Sequence, residues 1–447
     1  MLEKVLVANR SEIALRIIRA CQELGVPSVA VYSDADAEAL HVRSADEAVH
    51  IGPPPAGKSY LNIEALINAA KETGADAIHP GYGFLAENTS FAAACEEAGL
   101  TYVGPSSEAI AKMGDKSAAR RVAQKADVPV VPGSEEVSSA DHALEAAGEI
   151  GYPVMVKAAS GGGGRGIRVA EDEEELRKAV QVAKQEAEKA FGDGSLYLEK
   201  LLVGPRHVEV QVMADHHGNV IHLYERECSM QRRRQKVLEE APSPGISPET
   251  RDKMTAAAVR LTKEAGYTNA GTLEFLVDAE ENFYFIEMNT RIQVEHPVTE
   301  MLTGVDLVKE QIQVAAGEPL SIKQEDVPFE GWAMEFRINA EDPDHDFMPS
   351  PGEISALEVP GGPGVRVDSA IYQGYEIPPF YDSLVGKLIV WSLTRKEAIA
   401  RARRALREYR IEGVKTTIPL HLRLLDDEAF RSGDYHTGYL EEWLKEE

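Results

Sequence analysis

The chain has 447 residues, a hydrophobic content of 43% and a formal net charge of −27. That length suggests roughly three domains with sizeable cores, and so negative a balance excludes nonspecific nucleic-acid binding, which rests on a basic surface. No stretch reaches the about 18 apolar residues of a membrane span, and Met1-Leu2-Glu3-Lys4 leads into no long apolar run, so a cytoplasmic protein without targeting segment or membrane partner is expected.

The acidity reads as a solubilising surface, with salt adaptation as the alternative. Cys21, Cys95 and Cys228 lack metal or redox spacing and read as reduced packing residues.

Val5-Leu6-Val7-Ala8 is a short apolar strand. Ile13, Leu15, Ile17, Ile18, Cys21 and Leu24 then recur at near-helical spacing up to Gly25-Val26-Pro27. Strand-like runs at 28–32, 75–79 and 100–103 alternate with helical segments, which predicts a doubly wound α/β unit over residues 1–114. Its first turn lacks Gly-x-Gly-x-x-Gly, which disfavours a dinucleotide site. The loop His79-Pro80-Gly81-Tyr82-Gly83-Phe84 directly follows a strand, where open α/β sheets place ligands; an ordinary glycine turn explains it equally well.

Further on, the strand Val154-Met155-Val156-Lys157 runs into Ala158-Ala159-Ser160-Gly161-Gly162-Gly163-Gly164-Arg165-Gly166, and Ile167-Arg168-Val169 follows. Four consecutive glycines pack no core and lose much entropy on ordering, so this loop is expected to be mobile until a ligand organises its amides. It reads as a strand-loop-strand phosphate cover and not a Walker loop, which would continue Gly-Lys-Ser/Thr into a helix. Leu196 to Leu202 runs as a strand towards Gly204-Pro205, and periodicity does not separate a core strand from an adenine-binding hinge. Basic residues concentrate at Arg226 and at Arg232-Arg233-Arg234-Gln235-Lys236, a local anion site in so acidic a chain.

The densest chemistry lies at residues 287–295. Thr272 to Val277 alternates, Asp278 to Asn282 is turn-rich, and Phe283 onwards alternates again, which predicts a hairpin with Glu274 beside Glu287. Two adjacent carboxylates repel unless one is protonated or a cation lies between them, and a hard divalent ion suits such oxygen ligands. Continued as an extended segment, one face carries Phe283, Phe285, Glu287, Asn289, Arg291, Gln293 and Glu295, passing from apolar to functional. A solvated hairpin is the plainer alternative.

Met113-Gly114-Asp115-Lys116, the Lys157 glycine-loop segment, Glu199-Lys200-Leu201-Leu202, Ser229 to Lys236, Glu287 to Thr299 and Arg337-Ile338-Asn339-Ala340-Glu341-Asp342-Pro343 together resemble biotin carboxylase, the ATP-grasp subunit of bacterial acetyl-CoA carboxylase. The resemblance covers essentially the whole chain. It implies an α/β and α+β chain with an ATP-grasp fold: an N-terminal Rossmann-like domain over 1–114, an ATP-grasp domain over 115–330 with a mobile lid about 132–203, and a C-terminal biotin carboxylase domain over 331–447.

The resemblance also implies site roles. ATP would be bound by Lys116, Lys157, Gly163, Gly164, Glu199, Lys200, Leu201, Leu202, His207, Gln231, Arg234, Glu274 and Glu287. Glu274, Glu287 and Asn289 would hold magnesium or manganese, as a pair of ions. Bicarbonate would be held by Lys236, Arg291, Gln293 and, through its backbone, Val294. Tyr82 and Arg337 would face the biotin ring. Glu295 would be the general base, with Arg291, Arg337 and Lys236 as its catalytic partners. Biotin would arrive on a separate biotin carboxyl carrier protein, since no Met-Lys-Met site is present. Carboxyltransferase subunits would use the product for malonyl-CoA and fatty acid synthesis, and the family suggests a homodimer.

Three positions depart from the family pattern. Arg234 stands where histidine is common, Ser11 replaces a usual glycine, and Ala159-Ser160 precedes the glycines where Ser-Gly is common. Arg395, Lys396, Arg401, Arg403 and Arg404 recur at helical spacing and read as a solvated face, with an acidic carrier contact as the alternative. Two rivals share the nucleotide site: another ATP-grasp ligase, separated by Lys236, Arg291 to Glu295 and Arg337, and a noncatalytic nucleotide sensor, disfavoured by the retained carboxylates and base.

Overall fold

The computed structural model describes residues 2–137, 139–158, 168–191 and 194–446. At the N-terminus, β1 (Val5–Val7), β2 (Ser28–Ser33), β3 (Glu47–Gly52), β4 (Ala77–His79) and β5 (Thr101–Tyr102) form a parallel sheet in the order β3-β2-β1-β4-β5. The residues of β1 are all buried, as the central strand of a sheet covered on both faces requires. Between β1 and β4 the strand order reverses, which opens a crevice at their carboxyl ends. Asn9 closes it from one side, donating from Nδ2 to the Pro80 and Tyr82 carbonyls at 2.7 and 2.8 Å. Gly81 has φ +63°, and a Cβ there would lie 3.0 Å from Ile13 and 3.1 Å from Asn9, so the turn that presents Tyr82 demands glycine.

A second, smaller sheet is antiparallel. It comprises β6 (Gly133–Val137), β7 (Val154–Ala158), β8 (Arg168–Ala170) and β9 (Leu196–Lys200), in the order β6-β9-β7-β8. The helices Ala140–Ile150 and Glu173–Phe191 cover it, burying Val154, Val156, Leu176, Leu196 and Leu198. The antiparallel pairing of β7 with β8 is the expected strand-loop-strand form. Its loop, with Gly163 and Gly164, lies outside the described residues.

The third sheet has eight strands: β10 (Arg206–Ala214), β11 (Val220–Arg232), β12 (Gln235–Ala241), β13 (Asn269–Val277), β14 (Phe283–Asn289), β15 (Trp332–Asn339), β16 (Val365–Ser369) and β17 (Leu384–Ser392), ordered β14-β13-β10-β11-β12-β15-β17-β16. The β12–β15 register, with Leu238 opposite Phe336 and Glu239 opposite Glu335, carries the sheet across residue 330 without a break. One face is apolar. Val208, Val210, Leu273 and Phe275 belong to the same core as Met254, Ala257, Ala258 and Leu261 of the helix Pro248–Ala265. Leu238, Phe336 and Leu388 share a core with Ala398, Ala402 and Ala405 of the helix Arg395–Glu408. The alternate residues Glu209, Glu239, Glu335, Arg337 and Lys387 are also buried, and they make the opposite face a charged one.

Three sequence expectations are overturned. Glu274 does pair with Glu287, but Phe275 pairs with Phe285, so β14 carries an extra residue between the two pairs. That bulge reverses the side on which the following residues emerge. Phe283 and Phe285 face the core with Phe275, and Glu287 does not continue their face. Nor does the strand run to Glu295: β14 ends at Asn289, and Glu295 precedes the helix His296–Thr303. Finally, the arginines of Arg395–Glu408 do not form a free basic face. Arg395 pairs with Glu240 at 2.8 Å, Arg403 with Asp426 at 2.5 Å, and Arg401 donates to the Trp391 carbonyl.

Candidate active site

A cavity of about 790 Å³ opens between the N-terminal sheet crevice and the charged face of the large sheet. Tyr82 and Glu12 line it on one side; His207, Lys236, Glu274, Glu287, Asn289, Arg291, Gln293, Val294, Glu295 and Arg337 line the other.

Glu295 is the most heavily neutralised carboxylate there. Its Oε1 accepts from Lys236 at 2.6 Å and its Oε2 from Arg337 at 3.0 Å, with only 2% of the side chain exposed. Burial would raise this carboxyl, but Lys236, Arg337 and Arg226 hold it well below the ordinary carboxylate range. Lys236 is shared, with Glu209 at 2.6 Å and Glu274 at 3.2 Å, and Arg337 also donates to Glu239 at 2.6 Å. Burial raises Glu239 to about 7 despite Arg337.

The turn after β14 gathers the remaining groups without strand alternation. Gln293 accepts from Arg226 at 2.8 Å and donates to Glu274 at 3.0 Å, so both ends of its amide are fixed. Arg291 donates to Asn289 and to Glu87, each at 3.0 Å. The Val294 carbonyl accepts from Lys387 at 2.8 Å.

Glu274 and Glu287, opposite each other in the hairpin, are electrically unequal. Burial would raise Glu274, but Lys236 and His207, the latter at 3.0 Å, hold it well below its usual range. Glu287 is pushed up by burial and then by Glu274, which is the imbalance a divalent cation beside both would relieve. Asn289 adds an amide donating to Glu274 at 2.8 Å. This donor set is mainly oxygen and fits magnesium.

Comparisons with known proteins bear on the whole chain. Residues 1–110 match the family described as biotin carboxylase, N-terminal domain; 115–323 match carbamoyl-phosphate synthase L chain, ATP binding domain; and 335–442 match biotin carboxylase C-terminal domain. The chain is 60% identical to biotin carboxylase 1 of Bacillus subtilis over 99% of its own length and 98% of the relative's. The chain belongs to the biotin carboxylase family.

This biotin carboxylase is also 56% identical to a pyruvate carboxylase subunit of Methanothermobacter thermautotrophicus, over 100% of this chain and 91% of that one. Among solved structures, the biotin carboxylase domain dimer of the Hydrogenobacter thermophilus 2-oxoglutarate carboxylase, in complex with MgADP, ADP and bicarbonate, superposes with a TM-score of 0.90 at 54% identity, covering 99% of this chain and 98% of that one. The protein is therefore an ATP-grasp ligase that carboxylates biotin at the expense of ATP. No helix among the described residues is long and apolar enough to cross a membrane.

The structure brings together the residues expected for metal, bicarbonate and biotin. The nucleotide residues are more dispersed. Lys116 begins the helix Lys116–Lys125 with its side chain 77% exposed, 4.0 Å from Glu287. Lys157 forms an ion pair with Glu199 across β7 and β9. Lys200 donates to the Gly151 and Tyr152 carbonyls at 3.0 and 2.6 Å, and the Leu201 amide donates to Pro153, with Leu202 following. Gln231 is buried opposite Lys236 near the end of β11.

Arg226 is not part of an anion site. It is fully buried and committed to Glu209, Gln211, Thr299, Thr272 and Gln293, so it props the site from behind. The two unusual positions, however, become legible. Arg233 and Arg234, at φ +49° and +66°, form the two-residue turn between β11 and β12, a twist that favours Asn-Gly. Ser11 has φ +58°, where its usual glycine costs nothing and an L side chain costs about 1 kcal/mol.

Sequence reading missed Glu12, Glu209, Glu239 and Lys387. His207-Val208-Glu209-Val210-Gln211 alternates as clearly as the hairpin does, and Lys387 is a lone charge within Leu384–Ser392. Both signals are present in the sequence.

Proposed function

We propose that this chain carboxylates biotin carried by a separate biotin carboxyl carrier protein, as the first half-reaction of acetyl-CoA carboxylase, supplying malonyl-CoA for fatty acid synthesis. The observation that carries the chemistry is the buried Glu295, ion-paired to Lys236 and Arg337 beside Arg291, Gln293 and Val294. In this reading residues 1–114, 115–330 and 331–447 act as three domains. Lys116, Lys157, Gly163, Gly164, Glu199 to Leu202, His207, Gln231 and Arg234 receive ATP.

Bicarbonate occupies the space between Arg291, Gln293, the Val294 backbone and Lys236. A carboxylate held as low as Glu295 is a weak base. An incoming anion takes a share of Lys236 and so returns basicity to Glu295. Glu295 then removes the bicarbonate proton as the bicarbonate oxygen attacks the γ-phosphorus and the bond to ADP breaks, giving carboxyphosphate. Lys116 and Lys157 offset charge on the phosphoryl oxygens. Carboxyphosphate separates into carbon dioxide and phosphate, and the phosphate takes the ureido N–H proton. Arg337, beside Tyr82, stabilises the enolate-like ureido oxygen while the nitrogen attacks carbon dioxide.

Glu274, Glu287 and Asn289 would hold a pair of magnesium or manganese ions, which when bound neutralise the phosphate oxygens. Carboxyltransferase subunits and a homodimer complete the expected assembly. Phosphate release that requires bicarbonate and rises with free biotin tests the reading; equal ATP hydrolysis without either overturns it.

A second reading keeps the chemistry and changes the acceptor, since pyruvate and 2-oxoglutarate carboxylase subunits are 56% and 55% identical to this chain. Reconstitution with the partner carrier and carboxyltransferase, offering acetyl-CoA, pyruvate or 2-oxoglutarate, separates the two.

A further inference from the structure

Lys387 is buried without exposure in the middle of β17, among Val385, Leu388, Ile389 and Val390. An ammonium taken out of water costs several kcal/mol unless it is paired, and a methionine of the same length would fill the space. Three contacts account for the charge. The Nζ donates to the Val294 carbonyl at 2.8 Å, lies 3.3 Å from Glu12 Oε2, and sits 5.8 Å from the centre of the Tyr82 ring. The other oxygen of Glu12 accepts from the Tyr82 hydroxyl. Burial would lower the Lys387 ammonium, but Glu12, Glu335 and Asp368 hold it above its ordinary value, so it stays charged.

These contacts run in one unbroken line from the turn carrying Gln293, Val294 and Glu295 to the N-terminal crevice carrying Tyr82. Two parts of the chain that share no strand, the helix Ser11–Leu24 and the segment after β14, are joined through a single side chain of β17. Lys387 is also the direct cross-strand partner of Arg337.

We propose that Lys387 and Glu12 are positioning residues, which lock the Val294 peptide on the bicarbonate side to the Tyr82 hydroxyl on the biotin side, so that occupancy of one half-site sets the geometry of the other. The proposal rests on the function proposed above. Glu12 and Lys387 do not touch the reacting atoms; they act through Val294 and Tyr82.

The test is steady-state ATP cleavage by the full chain, with bicarbonate and ATP varied separately, with and without free biotin. Lys387→Met is expected to raise the KM for bicarbonate about tenfold or more while leaving that for ATP within about twofold, because misplacement is local to the anion. Stimulation by free biotin should fall at least about threefold. Glu12→Gln keeps the shape and the acceptor for Tyr82 but removes the charge facing Lys387, and should raise the bicarbonate KM about threefold. Equal rises in both KM values, or a bicarbonate KM within about twofold of wild type in a variant that melts normally, overturns the proposal. Should Lys387→Met fail to fold, Glu12→Gln decides by the same criterion. Wild-type protein that cleaves ATP without bicarbonate would refute the parent reading instead, so the two failures are distinct.

Discussion

The two walls of the cavity handle charge in opposite ways. On the large-sheet wall Glu295, Glu209 and Glu239 are matched by Lys236, Arg226 and Arg337 before any substrate arrives, and all of these are buried or nearly so. On the nucleotide wall Lys116 is largely exposed, Lys157 is occupied by Glu199, and Glu287 faces Glu274 with its carboxyl pushed up. A small anion such as bicarbonate is served by a preset cage, since orientation is most of what it needs. A polyphosphate brings its own charge and cations, so its wall is left incomplete until they arrive.

The sharpest way to break this contrast is Glu295→Gln. Loss of the general base is expected to cut bicarbonate-dependent ATP cleavage about a thousandfold, while calorimetric binding of ATP changes less than about threefold, because the nucleotide residues lie elsewhere. Retention of most activity would mean that the neutralised wall does not hold the chemistry.

Lys116→Gln probes the other wall. Removing an exposed cation should lower kcat/KM for ATP by about ten- to a hundredfold through lost phosphate stabilisation, yet leave the melting temperature unchanged, since an exposed side chain contributes little to folding. A marked drop in melting temperature would place Lys116 in the preset cage after all.

The smallest expected effect concerns pH. His421 is buried, with Nε2 2.8 Å from the Arg337 carbonyl, and burial pushes its imidazole down to about 4. Burial likewise lowers His41 to about 4 and His79 to about 3. The folded chain thus binds these protons less readily than the unfolded chain, whose histidines keep an ordinary value of 6.5. Their contribution is complete above pH 6.5 and is lost as pH falls towards 4, at up to about 1.4 kcal/mol per pH unit for each group. Melting temperatures recorded between about pH 7 and 5 should therefore fall, and His421→Gln should flatten the slope.

The pairing of Glu274 with Glu287 is readable because alternation and turn residues are local signals, and recognisable motifs carry the order of the whole site. The bulge after Phe285 is not readable: it leaves no mark on composition, yet one extra residue exchanges the two faces of β14. Arg226 misleads because a run of basic residues says nothing about whether each finds a carboxylate inside the fold; Glu209 lies on the adjacent strand. Lys387 and Glu12 lie near opposite ends of the chain, and only tertiary contact reveals their meeting. Ser11 stands out in the sequence as a departure, but its left-handed backbone gives the departure its physical content.

The pairing of β12 with β15 places Lys236, on the former, and Arg337, on the latter, in a single hydrogen-bonded sheet. Cutting the chain in the stretch between Ala241 and Trp332 and separating the pieces would leave the long edges of both strands bare. Each would present unsatisfied amides and carbonyls to any other strand in reach, so the fragments should aggregate and not behave as modules. Evolutionary rearrangement of this scaffold is correspondingly easier by attachment at its ends than by recombination through its middle.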